Sequence, residues 1–278
     1  MIKAIFFDID GTLLSSNGRI LESTKRAIQK AQQKGILCGV STGRGPESIR
    51  EIVEELNLDM FVTYNGQLVY TKTKTLYARP FDQTVLQKII DYANDNSRQM
   101  MLGSKTHMEG SLTMRIGQSR FVRRMIRFVP RHFPIRWMKL VLQRYSPNRR
   151  SHRYSQLKIV NEPIYQCVML SGEYELDKLQ NRLPECDFQR SNPYTIDIVP
   201  KGGSKLQGIR FFLAHKEIDL FETMAFGDHL NDIEMLQGVG VGVCMGNGML
   251  ETQEVADFVT ASNDDDGIEK ALLHYQLI

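Results

Sequence analysis

Apolar positions along the chain fall into short solid runs separated by amphipathic stretches, a rhythm that predicts alternating strands and helices. Ala4-Ile5-Phe6-Phe7 is the first run, of a length and solidity that suit a strand buried on both faces. The polar turn Ser15-Ser16-Asn17-Gly18 leads into a helix from about Glu22 to Lys34. Ala27, Ile28 and Ala31 form its apolar stripe, and Gly35 sits just past its end. Ile36-Leu37-Cys38-Gly39-Val40 reads as the second strand, and Gly45-Pro46 opens another helix with proline in the first turn. Met60-Phe61-Val62-Thr63-Tyr64 is the third strand, ending in Asn65-Gly66. Repeated βαβ units of this kind imply a parallel sheet with helices on both faces.

The rhythm changes after Phe81. A helix near Thr84–Asn94 is followed by short strand candidates and two basic amphipathic segments. Leu157–Val160 and Gln166–Leu170 come next. From Tyr194 to Val199 onward the βα alternation returns, with strands at Thr223–Phe226, Val239–Cys244 and Phe258–Thr260. At 278 residues the chain exceeds the usual size of one core. The expected organisation is an α/β protein: a Rossmann-like doubly wound core from 1–81 and 190–278, with an α+β insert at 82–189. Hinges fall near Phe81–Asp82 and Asp187–Ser191.

Composition narrows the class. Hydrophobic content of 42% and charged content of 24% suit a water-soluble globular chain. No apolar stretch approaches the roughly 18 residues that span a bilayer, and the early first strand, with no basic and apolar run before it, argues against expecting a secretory signal. Cys38, Cys167, Cys186 and Cys244 are far apart and form no CxxC pair, so reduced thiols in the cytoplasm are expected. The net charge of +3 hides an asymmetry. Between Glu109 and Glu162 there is no acidic residue but thirteen Lys and Arg, which leaves about −10 for the rest. One region is built to meet anions.

Chemistry-bearing residues gather at strand ends. Asp8-Ile9-Asp10-Gly11-Thr12 follows the first strand, and open α/β sheets place ligands at that carboxyl edge. Strand alternation would point Asp8 and Asp10 the same way, and two adjacent anions call for a hard divalent cation between them. Asp-Gly is also a common turn pair. Val40-Ser41-Thr42-Gly43-Arg44 presents a hydroxyl and a glycine amide before a helix, a setting that favours an anion and equally suits a plain cap. In Lys201-Gly202-Gly203-Ser204-Lys205, Ser204 is placed to cap a helix and Lys205 sits in a first turn that disfavours cations. Spacing alone does not separate Lys205 from Lys201. Gly227-Asp228-His229-Leu230-Asn231-Asp232 offers two acids and an amide at a helix head, suited to metal ligation and its support.

Four such elements, in this order, resemble the motifs of the haloacid dehalogenase superfamily of phosphohydrolases. The insert between the second and third resembles the cap of the Cof-like branch. Asn65-Gly66, Met245-Gly246-Asn247 and Asn263-Asp264-Asp265-Asp266-Gly267 are similar to the family pattern as well. The resemblance implies a phosphatase acting on small phosphorylated metabolites such as sugar phosphates, nucleotides or cofactor phosphates. Asp8 would be the nucleophile that forms an aspartyl-phosphate, and Asp10 the acid and base. Mg²⁺ would sit on the Asp8 carboxylate, the Asp10 carbonyl and Asp228. The Ile9 amide, Thr42, the Gly43 amide, Lys205 and Asn231 would hold the phosphoryl group. Asp232 and His229 would stand behind the metal ligands, and the family's third motif favours Lys205 over Lys201. A mobile cap would exclude water while closed.

Other signals carry less. Ser262–Leu273 only superficially suggests a calcium loop, lacking Asp at its start and Glu at its end, and reads as an acidic helix start. Gly238, Gly240 and Gly242 make no dinucleotide fingerprint, and His107, His132 and His152 show no ligand spacing. In the insert, Phe121, Met125, Phe128 and Val129 form one helical stripe, while Arg123, Arg124 and Arg127 fall on other faces. Those arginines are either a solvated face or contacts for an anionic substrate. The expected partner is a small phosphate ester rather than nucleic acid or membrane. The rival readings are a phosphomutase or sugar-phosphate-specific phosphatase on the same scaffold, and a binding protein that uses the basic insert on nucleic acid or anionic lipid.

Overall fold

The computed structural model describes residues 1–111, 114, 154–172, 175–192 and 194–278. Arg123, Arg124 and Arg127, with the amphipathic stripes beside them, lie outside the described residues. The chain divides into two units, Met1–Arg79 with Gly202–Ile278, and Pro80–Lys201.

The larger unit is an eight-stranded sheet. Its strands are β1 (Ala4–Phe7), β2 (Leu37–Ser41), β3 (Met60–Thr63), β4 (Leu68–Thr71), β5 (Thr75–Ala78), β11 (Thr223–Gly227), β12 (Val241–Cys244) and β13 (Phe258–Val259). The order is β13-β12-β11-β1-β2-β3-β4-β5. The six strands from β13 to β3 are parallel, and β4 and β5 are added antiparallel at one edge. The chain builds outward from β1 through β2 and β3, then returns to pair β11 on the opposite side of β1. The direction of winding therefore reverses at β1, and open α/β sheets place their ligands outside the carboxyl ends of the strands at such a reversal.

β1 is a solid apolar run because both faces are covered. Ile5 and Phe7 pack with Ala27, Ile28 and Ala31 of the helix Glu22–Gln33 and with Ala271 and Leu272 of the helix Gly267–His274. Ala4 and Phe6 face the other way, onto Leu206, Ile209 and Phe212 of the helix Lys205–Lys216. Phe7 stacks on its register partner Phe226 with ring centroids 5.1 Å apart. This is the doubly wound arrangement expected from the pattern.

The second unit carries β6 (Met100–Gly103), β7 (Met108–Gly110), β8 (Gln166–Leu170), β9 (Cys186–Asn192) and β10 (Thr195–Pro200), in the antiparallel order β7-β6-β8-β10-β9. The helices Gln83–Asp95 and Leu176–Arg182 supply Leu86, Ile89, Ile90 and Leu179 to one core with Met169, Ile196 and Ile198. The expected second junction near 187–191 falls instead between Lys201 and Gly202. The strand assigned from sequence to the returning core, β10, pairs with β8 and β9 in the smaller sheet. Its composition explains this: Ile196 and Ile198 alternate with Asp197, which suits an antiparallel strand whose two faces differ, not a central parallel one.

All four cysteines are buried and free. Among the described residues, no helix is long and apolar enough to cross a membrane.

Candidate active site

Asp8 continues the β1–β11 ladder by one bond, its N–H donating to Phe226 O at 2.9 Å, and the chain then turns away. The turn depends on Gly11. Its φ of +89° is strained for any side chain, and a Cβ there would come within 2.2 Å of Asp228 Oδ2. The next residue grips the same carboxylate, as Thr12 Oγ1 donates to Asp228 Oδ1 at 3.1 Å.

Lys205 is delivered by a second tight approach. Gly66, with φ +89°, lies so close to the start of the helix Lys205–Lys216 that a Cβ would stand 2.0 Å from Ser204 O. Ser204 caps that helix, its side chain accepting from Gln207 N–H. The cap and the contact with Gly66 together set the first turn over the sheet's carboxyl edge. Lys205 Nζ there donates to Asp8 Oδ1 and to Asp232 Oδ1, both at 2.6 Å, with a side chain only 1% exposed. Asp232 uses its other oxygen, Oδ2, to accept the N–H groups of Asp228 and His229, each at 3.0 Å. Lys201 does not join this group; its ammonium donates to Pro184 O at 3.0 Å within the second unit.

Three carboxylates thus converge. One oxygen from each of Asp8, Asp228 and Asp232 lies within 4.8 Å of the others. Burial, and then the neighbouring carboxylates, raise the pKa of Asp228; Asp8 is raised by burial and by Asp232, with Lys205 pulling it back. Burial opposes the charge on Lys205, yet Asp232 and Asp8 outweigh it and its pKa rises. Three acids crowd one ammonium, and a hard cation with oxygen ligands would relieve the repulsion that helps to raise Asp8 and Asp228. The residues present fit such an ion.

Asp10 differs from Asp8. The strand ends at Phe7, so alternation does not carry through, and the Asp10 carboxylate is taken by Arg44. Arg44 Nε donates to Oδ2 at 2.7 Å and Nη2 to Oδ1 at 2.6 Å. Burial works against the Arg44 charge, but Asp10 more than offsets it and the guanidinium pKa moves up.

The remaining expected residues follow the carboxyl ends of β1, β2 and β11. Thr42 is buried after β2, its N–H donating to Val62 O at 2.9 Å and its carbonyl accepting from Asn65 N–H at 3.0 Å. Asn231 Nδ2 donates to the Oδ1 of the fully buried Asn65 at 3.4 Å. Gly43 follows Thr42 in the same loop, and Ile9 is fully buried with its carbonyl accepting from Leu14 N–H at 2.9 Å. His229 is half-buried, and burial lowers its pKa. Its backbone, through Asp232, is what joins the group. The acidic stretch before Gly267 is a tether. Asp264 Oδ1 accepts from Ser16 N–H at 2.7 Å, and Asn263 Nδ2 donates to Leu14 O at 2.7 Å.

Sequence reasoning gave Thr12, Arg44 and Asn65 no role, although each lies inside a quoted motif. Their partners, Asp228, Asp10 and Asn231, stand 34 to 216 positions away, and no local spacing reveals such pairings.

Comparison with known proteins identifies the family. The model of the haloacid dehalogenase-like hydrolase family matches residues 5–272. The inferred phosphatase YkrA of Bacillus subtilis is 30% identical, across 99% of this chain and 98% of its own. The 5-amino-6-(5-phospho-D-ribitylamino)uracil phosphatase YcsE of the same organism is 27% identical, across 99% and 96%. Among solved structures, the subclass IIB sugar phosphatase BT4131 superposes with a TM-score of 0.79 at 27% identity, covering 99% of this chain and all of the other.

Proposed function

The chain belongs to the haloacid dehalogenase-like hydrolases and is a phosphoric monoester hydrolase, and on that premise we propose that it uses Mg²⁺ and an aspartyl-phosphate on Asp8 to hydrolyse small phosphorylated metabolites. The observation that carries the reading is the buried group of Asp8, Lys205, Asp232 and Asp228 at the carboxyl edge of the sheet. The sugar-phosphate chemistry in the names of YcsE and BT4131 supports the substrate class.

The Asp8 carboxylate, the Asp10 carbonyl and Asp228 would hold the ion, which when bound supplies positive charge against the phosphoryl oxygens. Lys205 meanwhile pulls the buried Asp8 toward its ionised form. Burial favours the neutral acid, which is no nucleophile, and the ammonium at 2.6 Å opposes that. Asp232 holds Lys205 in place and ties down the backbone of Asp228. Asp8 then attacks phosphorus in line. The bond from phosphorus to the ester oxygen breaks, and that oxygen takes the proton of Asp10. In the second half a water gives its proton to Asp10 and attacks phosphorus, the bond to Asp8 breaks, and phosphate leaves. Thr42, Asn231, Lys205 and the amides of Ile9 and Gly43 would bind the phosphoryl oxygens, whose charge is spread in the transition state. With the core devoted to phosphoryl transfer, choice of ester is assigned to the inserted unit.

The test is phosphate release from a nitrophenyl phosphate and a panel of phosphorylated metabolites, with and without Mg²⁺. Mg²⁺-dependent release, lost in a folded Asp8→Asn variant, is the expected result. Turnover retained by Asp8→Asn would refute the nucleophile assignment, and a folded wild type inert on every ester would refute the activity.

A further inference from the structure

Arg44 has no part in the scheme above, yet its guanidinium grips the Asp10 carboxylate. Both Asp10 carboxylate oxygens accept from its guanidinium, at 2.7 and 2.6 Å, a two-point fork that sets the plane as well as the distance of the acid. The arginine is also tied down along its own length. Its N–H donates to Thr42 Oγ1 at 3.1 Å, its carbonyl accepts from Tyr64 N–H at 3.1 Å, and Nη1 donates to Ser48 O at 3.4 Å. The Arg44 side chain is 18% exposed against 60% for Asp10. The arginine is therefore the anchored member of the pair, and the carboxylate is the one being held.

Ion pairs between two mobile surface chains do little; this one has an immobilised half that determines where the other can go. Thr42, which accepts from the Arg44 N–H, belongs to the loop assigned to the phosphoryl group.

We propose that Arg44 is a positioning residue that fixes the Asp10 carboxylate for proton transfer to the leaving oxygen. The proposal rests on the reading of Asp10 as the acid. It separates Arg44 from a residue that merely grips phosphate or braces the loop, because its effect must depend on how much the leaving group needs a proton. An alkoxide leaves poorly without one, whereas a nitrophenolate hardly needs it.

The experiment compares kcat/KM, which reports transfer to Asp8 and not the later hydrolysis, for an alkyl phosphate and a nitrophenyl phosphate. It uses the wild type, Arg44→Gln, Arg44→Lys, Asp10→Asn and the Arg44→Gln/Asp10→Asn double variant, all with Mg²⁺. General-acid assistance is worth about 10²- to 10⁴-fold. Arg44→Gln should therefore lose roughly 10- to 100-fold on the alkyl ester, and at least several-fold less on the nitrophenyl ester. Arg44→Lys, a point charge without the fork, should recover part of that loss. In the Asp10→Asn background, Arg44→Gln should cost nothing further, since both act through one carboxylate. Equal losses on the two esters, losses that add fully in the double variant, or no loss would each overturn the proposal. Should Arg44→Gln not fold, Arg44→Lys carries the same comparison of esters. Wild type inert on both esters would instead sink the activity proposed above, and this assignment with it.

Discussion

Lys205→Met removes the buried ammonium that Asp8 and Asp232 share. Lys205 is 1% exposed, and its partners Asp8 and Asp232 are 9% and 0% exposed, so water cannot take the place of the lost ammonium. Breaking a buried pair by deleting one partner costs about 3–5 kcal/mol, because the other charge is left uncompensated. Here two carboxylates are left, which puts the expectation at the upper end, about 4–5 kcal/mol, or on the order of a thousandfold in the folded-to-unfolded ratio. For a unit of this size, about 2–4 °C per kcal/mol gives a fall in Tm on the order of 10 °C. The loss should shrink between pH 8 and pH 5, because a protonated Asp8 no longer needs the ammonium. Scanning calorimetry in EDTA is the suitable assay, since it resolves separate transitions for two units and keeps divalent ions from replacing the missing charge. Lys201→Met is the control. That side chain is exposed and bonded to a single carbonyl, and should stay within about 0.5 kcal/mol. A loss below about 1 kcal/mol for Lys205→Met, or equal losses at the two lysines, would refute the buried-cation account.

Two further outcomes follow from the same pocket. Gly11→Ala forces a side chain into a backbone with φ +89° and against Asp228 Oδ2; it should cost about 1–3 kcal/mol in urea unfolding and most of the turnover, and wild-type kinetics would contradict the role given to this turn. Asp8 and Asp228 have folded-state pKa values raised from 3.8 to about 7 and about 8. Their contribution to stability is thus fully present below 3.8 and is lost as pH rises through those values. Mg²⁺ competes with the protons that these raised values retain, so its stabilising thermal shift should be larger at pH 8 than at pH 5.5. A shift of equal size at both, or one unchanged by Asp228→Asn, would count against the metal site.

How much of this was legible in the chain depends on the range over which each signal acts. The solid run Ala4–Phe7 gives a doubly covered strand directly, because burial on both faces permits no polar position. The motif at Asp8 and the motif at Asp228 were each readable, and the sheet joins them through the register Phe7↔Phe226. Lys205 and Lys201 were equivalent by spacing. What separates them is the contact of Gly66 with Ser204, a tertiary feature that no window around residue 201 contains. The alternation of Ile196, Asp197 and Ile198 did mark β10 as unlike the central strands, and weighing it above the return of apolar residues would have put the second junction nearer Gly202. Arg44 stayed hidden because its importance lies in a partner 34 positions earlier.

The position of β1 between β2 and β11 has a consequence for the order in which the molecule is made. One flank of β1 is closed by a strand some thirty positions later, the other only by β11, more than two hundred positions on. At about 5–20 residues per second, a ribosome leaves that second flank open for roughly ten to forty seconds. The inserted unit, contiguous from Pro80 to Lys201, can complete its own sheet in the interval. The first strand meanwhile waits as an apolar edge with unpaired backbone groups, the kind of surface that recruits other chains. Slowed elongation after Lys201, or release of truncated nascent chains, should therefore favour aggregation over mere inactivity.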